Sequence, residues 1–206
     1  MIPSVTRPAL LALLLSLAAL SGIGALVFRS DAVRRRLRRW REDRNAPEED
    51  VVTLLRRGAF VSGLHALTPA DAIAELVRAL GSLLTGRKRS ARDAVLEREL
   101  LATTGLGDEV AIPHAALQGL DRPLLALGLA PSGIDFGAHD GRPARIVFLL
   151  LIPPGANEEE VRILASIARA TLDPAARDAI VAAVDVDEVT RVLARSAHKT
   201  RESMRP

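Results

Sequence analysis

Four histidines and no cysteine limit the chemistry open to this 206-residue chain. No zinc-finger, iron–sulfur or disulfide framework can be built without cysteine. The sequence also lacks a Ser-His-Asp spacing, a phosphate-binding glycine loop of the Walker type and an HExxH pair. The informative residues lie between Glu97 and Ala115: Glu97-Arg98-Glu99 near the end of a helical pattern, Thr103-Thr104-Gly105-Leu106-Gly107 as a turn, then Val110-Ala111-Ile112-Pro113-His114-Ala115. A short strand runs out at a proline that fixes the backbone just before an imidazole. Such a placement holds a histidine in one orientation. One ring nitrogen can attack while the other donates to a carbonyl that sets the tautomer. On the residues alone, His114 is either a presented nucleophile or a structural side chain, and both readings stand.

The elements that must position this segment follow from patterning. Thr68-Pro69-Ala70-Asp71 supplies a hydroxyl N-cap, a proline at the first helical position and an acid in the first turn. Ile73, Leu76, Val77, Leu80 and Leu84 then mark one apolar face at helical spacing. Gly86 to Arg89 reads as a polar loop, and Ser90 with Asp93 opens a second helix reaching about Ala102. Val110–Ile112, Leu124–Ala130 and Arg145–Ile152 read as strands, the last a near-continuous aliphatic run of the kind buried on both faces. Asp140-Gly141 marks a turn. Asn157 reads as the cap of a further helix with Glu160 at the capping-box position. Asp173-Pro174 restarts a helix, and Asp185 with Glu188 caps a last one ending near Arg195. The expected class is α/β: a mixed β-sheet flanked by helices on both faces. The core must be aliphatic, since hydrophobic residues make up 49% of the chain and aromatic ones only 2%.

The N-terminus adds a separate part. From residue 8 to 28 there is no charged side chain, enough helix to cover roughly 30 Å and so a bilayer core. Eight arginines against three acids follow in residues 29–44, with Trp40 among them, whereas residues 45–206 hold nineteen basic and twenty-two acidic side chains. Basic residues beside a membrane span stay on the cytoplasmic side. The expectation is one transmembrane helix over 8–28 in a bacterial inner membrane, a basic juxtamembrane segment and linker over 29–50, a cytoplasmic domain over 51–196 and a flexible tail over 197–206. A signal peptide is the rival reading of the apolar run. A mildly acidic domain is the opposite of a nucleic-acid-binding charge pattern, which excludes that class.

The Arg98-Glu99 pair, the Thr104-Gly105-Leu106-Gly107 turn and the Ala111-Ile112-Pro113-His114-Ala115 strand end resemble the enzyme IIA domain of the bacterial phosphoenolpyruvate-dependent phosphotransferase system, in its fructose, mannitol and nitrogen-regulatory branch. The helix start at Thr68, Ile134-Asp135-Phe136-Gly137, Asp140-Gly141-Arg142-Pro143 and Val147–Leu150 are similar in the same order. The resemblance implies that an HPr-like phosphocarrier protein passes phosphate to His114, which hands it to a sugar-permease or regulatory target protein. It implies that Arg98 steadies the phosphoryl oxygens, and it implies no metal and no organic cofactor. Two positions depart from the pattern. Glu109 stands where the family usually has glycine, which puts an acid near the transfer site. Glu160 stands in place of the family's second active-site histidine, and its charge would repel a phosphohistidine. His139 is the one other histidine placed to substitute for it; His65 and His198 read as bystanders. Two functions remain: a membrane-anchored phosphohistidine carrier, or a non-catalytic regulatory binding module at the membrane.

Overall fold

The computed structural model describes residues 50–101 and 103–203. The expected span over 8–28 and most of the basic segment behind it lie outside the described residues. Among the described residues, no helix is long and apolar enough to cross a membrane.

The described residues open with α1 (Val51–Arg57), whose N-cap Asp50 accepts the Thr53 N–H at 2.8 Å. Strand β1 (Ala59–Val61) follows, then α2 (Pro69–Ala79) and a single 3₁₀ turn (Gly81–Leu84). The α2 start is as expected: Thr68 accepts the Asp71 N–H, and Pro69 occupies the first turn, where its missing donor costs nothing. Helix α3 (Lys88–Leu101) leads into three short strands, β2 (Gly105–Gly107), β3 (Val110–Ala111) and β4 (His114–Ala116). Two long strands come next, β5 (Leu124–Ile134) and β6 (Ala144–Ile152), followed by α4 (Asn157–Ala170), α5 (Pro174–Val181) and α6 (Val186–Ser203). The last helix runs eight residues past the expected end at Arg195, because neither glycine nor proline interrupts the chain there.

The six strands form one mixed sheet in the order β1-β5-β6-β3-β2, with β4 also paired to β6. β5 and β6 are antiparallel, while β1 on β5, and β3 and β4 on β6, are parallel. Along β6 the side chains alternate between two cores. Val147, Leu149 and Leu151 pack with residues of α2 and α3. Ile146, Phe148, Leu150 and Ile152 pack with residues of α1, α4, α5 and α6. A period of two on a strand covered on both sides yields the unbroken aliphatic run seen in the sequence. Phe148 is fully buried, so its truncation to alanine would cost about 3–5 kcal/mol.

β3 and β4 are one strand with an interruption. Val110 aligns with Ile146 and His114 with Leu150, so the register on β6 is the same on both sides of the break. The break falls at Ile112-Pro113. Proline has no N–H to give to the ladder, yet its carbonyl still accepts the Leu150 N–H at 2.9 Å. The backbone therefore remains docked on the central strand right up to His114.

Candidate functional site

His114 lies on the same side of the broken strand as Val110 and Ile112, the side that faces α4. Its Nδ1 is 2.8 Å from the Ile112 carbonyl oxygen. A carbonyl can only accept, so Nδ1 carries a proton, and in the neutral ring Nε2 is then the nitrogen with the lone pair. The side chain is 13% exposed. Beside it lies an apolar cleft of about 290 Å³, lined by Thr104, Leu106, Ile112, Leu164 and Ala168. The neutral ring therefore has its nucleophilic nitrogen, Nε2, on a residue that lines an apolar cleft.

The segment ahead of β3, expected as a turn, is instead strand β2 paired with β3, and its contacts account for its residue types. Gly105 lies against the backbone of Ala138; a Cβ there would come within 2.8 Å of the Ala138 N and Cα. Gly107 has φ +92°, the left-handed region glycine tolerates. Thr104, almost fully buried, donates both its hydroxyl and its N–H to the Glu99 carboxylate, the latter at 3.1 Å. The Thr104 carbonyl in turn accepts the Ile112 N–H at 3.0 Å. A continuous path of hydrogen bonds runs from Glu99 on α3 through Thr104 and Ile112 to the His114 ring. Sequence reasoning noted Glu99 only as half of an Arg-Glu pair; its role depends on the turn folding back onto the helix, which no local pattern announces.

Arg98 sits half-buried in the last turn of α3, the helix that packs against β4. Glu160 is brought directly to the site: its Oε1 lies 3.4 Å from His114 Nε2. It is not a helix cap. The N-cap of α4 is Ala156, which makes no side-chain capping bond, and Asn157 is the first helical residue. Glu160 therefore lies one position too far along for a capping box and turns toward the histidine instead.

Glu109 is a correction. It does not approach the transfer site: Val110 and His114 are aligned four positions apart on β6, roughly 13 Å of strand. Its carboxylate pairs with Arg142 at 2.9 Å and Arg145 at 3.2 Å. The glycine usual in the family has a local reason. Asp108 and Glu109 form the two-residue turn joining β2 to β3, with φ +53° and +67°. A tight hairpin turn with both residues in the left-handed region favours glycine at the second. Asp108 contributes as well, pairing at 3.2 Å with the buried Arg177, which also donates to the carbonyls of Thr171 and Leu172. Asp140 steadies the same turn by accepting the Asp108 N–H at 2.7 Å and the Arg142 N–H at 3.1 Å. Those two bonds, led by that from Asp108, hold its carboxyl below the usual carboxylate value. His139 is exposed in the loop next to Asp140, and His65 uses its backbone N–H to bind Glu75. Among the described residues there is no group of three or more His, Cys, Asp or Glu side chains able to hold a metal ion.

Fold and site together define a mixed α/β domain that presents one histidine nitrogen at a break in a strand. The family model for the phosphoenolpyruvate-dependent sugar phosphotransferase system, EIIA 2, matches residues 53–196, and the chain belongs to that family. It is 33% identical over 144 residues to a nitrogen regulatory protein of Bradyrhizobium diazoefficiens, spanning 70% of this chain and 94% of that one. It is 37% identical over 105 residues to the PTS system fructose-specific EIIA component of Haloferax volcanii, spanning 51% of this chain and 68% of the other. The crystal structure of nitrogen regulatory protein IIA-Ntr from Neisseria meningitidis shares the fold, with a TM-score of 0.64 at 24% identity, over 69% of this chain and 98% of that one.

Proposed function

We propose that this chain is a membrane-anchored phosphohistidine carrier of the phosphotransferase system, with His114 as the acceptor. An HPr-like protein delivers the phosphoryl group. The Nε2 lone pair of His114 attacks phosphorus, the bond to the carrier's nitrogen breaks with its electron pair returning to that nitrogen, and the proton stays on Nδ1, donated to the Ile112 carbonyl. Arg98 balances the charge on the phosphoryl oxygens. A sugar-permease subunit or a regulatory target protein then takes the group. The observation that carries the reading is the Nδ1–H bond to the Ile112 carbonyl, which makes Nε2 the nucleophilic nitrogen of the neutral ring, on a residue that lines the cleft. The apolar residues 8–28 hold the domain at the cytoplasmic face of the membrane. A second reading, a regulatory module that docks partners without phosphate turnover, draws on the Glu160 carboxylate beside Nε2.

The test is phosphate transfer itself. Incubation with phosphoenolpyruvate, enzyme I and an HPr-like carrier is expected to give a label lost in acid and kept in base. His114→Ala abolishes it, and Arg98→Ala slows it at least tenfold, about 1.4 kcal/mol of barrier. A folded wild-type chain that takes no label from carriers of either the sugar or the nitrogen branch would hand the case to the second reading.

A further inference from the structure

Glu160 stands beside the nitrogen of His114 on which the proposed chemistry would take place. Its backbone is regular helix, its N–H bonded to the Ala156 carbonyl at 2.9 Å, so the side chain is not required for capping. The carboxylate is 24% exposed, with Oε1 3.4 Å from Nε2. With the ring proton on Nδ1, the lone pair of Nε2 points to the region that this carboxylate borders. A phosphoryl group bonded to Nε2 would bring its anionic oxygens against Oε1.

Resting on the reading of His114 as the acceptor, we infer that Glu160 is a fixed-charge gate on that histidine, slowing the loading of Nε2 and shortening the life of the phosphohistidine. Both effects have one cause. Repulsion between like charges in a partly buried site is weakly screened. It opposes the approach of an anionic phosphoryl group, and it destabilises the N–P bond once formed. On discharge to water, oxygen attacks phosphorus, the N–P bond breaks and its electron pair returns to Nε2. The domain is thereby set as a relay that discharges quickly, and not as a store. Glu158, in the same helical turn but exposed, separates a contact effect from one of overall charge.

The experiment uses the full chain in mild detergent and two donors, phosphoramidate and phosphorylated HPr. The small donor reports on the site without protein docking. Glu160→Gln keeps the size and removes the charge; it is expected to load at least tenfold faster from phosphoramidate and to lose its label several-fold more slowly. Glu160→Asp retains slow loading, Glu158→Gln matches wild type, and added salt narrows the gap between wild type and Glu160→Gln. Label on Glu160→Gln with none on wild type also supports the gate. Equal loading and equal decay of wild type and Glu160→Gln, with His114→Ala unlabelled, overturns the gate and leaves the carrier reading intact. Absence of label on wild type, Glu160→Gln and Glu160→His alike, all folded by circular dichroism, overturns both.

Discussion

The path from Glu99 to His114 makes the most demanding prediction, because a residue on a helix is asked to control a ring it does not touch. In Glu99→Ala, the N–H and hydroxyl of Thr104 lose their acceptor in a position only 9% exposed. Hydrogen bonds to a charged group contribute about 1.5–3 kcal/mol each. The partial exposure of the carboxylate discounts the pair to a loss of about 2–3 kcal/mol. In a domain of this size that is a fall in melting temperature of roughly 4–12 °C. Glu99→Gln still offers one acceptor and should lose about 1 kcal/mol. Thr104→Val removes the hydroxyl, so the double variant Glu99→Ala/Thr104→Val should be less damaged than the sum of the singles by about 1 kcal/mol. Urea unfolding followed by circular dichroism gives these energies, and phosphoryl labelling under conditions where every variant is folded gives the functional effect. Loosening of Thr104 frees the Ile112 N–H, and with it the carbonyl that orients His114, so labelling should slow along the same order: Ala, then Gln, then wild type. Additive energies within about 0.3 kcal/mol, or a destabilised Glu99→Ala that still labels at the wild-type rate, would refute the path.

Other expectations bear on the turn and the termini. Glu109→Gly relieves the left-handed backbone while Glu109→Ala keeps it, and both lose the two arginine partners, so the glycine variant should melt higher by about 1 kcal/mol of stability; an alanine variant at least as stable would contradict the strained-turn account. Asp140 is bound more tightly as the carboxylate, so its stabilising share is fully present above its ordinary pKa of 3.8 and is lost as pH falls through the lower folded-state value. The melting-temperature gap between wild type and Asp140→Asn should therefore be open at neutral pH and close below that range, and a gap that stays constant would argue against the assignment. Reporter fusions placed after Arg44 should behave as cytoplasmic and the chain should resist carbonate washing; a mature chain starting near residue 25 would show that the apolar run is removed.

What could be read from the sequence was whatever the local chain fixes by itself. The aliphatic stretch that became β6 announced burial on both faces, and Thr68-Pro69 announced the start of α2. Pro113 announced a restricted backbone at His114, because proline constrains its neighbours wherever it stands, but the residues alone left the ring's role open between nucleophile and structural side chain. β2 and β4 were not legible: each is three residues long and owes its pairing to partners distant in sequence. The hairpin at Asp108-Glu109 gave no turn signal, since neither residue is the glycine or asparagine that such a turn favours. For Glu160 the sequence offered two readings, a capping box from its spacing to Asn157 and, by resemblance, the place of a second active-site histidine. The helix begins a residue earlier than the capping spacing assumes, which removes the first reading, and the 3.4 Å approach to His114 agrees with the second.

The two outermost strands, β1 and β2, have three residues each, whereas the central β5 and β6 have eleven and nine. A free sheet border is a template on which another chain can be added, and its capacity scales with the number of unpaired backbone groups it displays. Here β1 covers β5 only along residues 126–128, and the rims are abbreviated, one of them bounded by Gly105 and Gly107. Molecules crowded side by side would find little rim to zip together along, so they can collide often without joining into a shared sheet. For the phosphocarrier role proposed above, that would leave collisions free to serve exchange between partners.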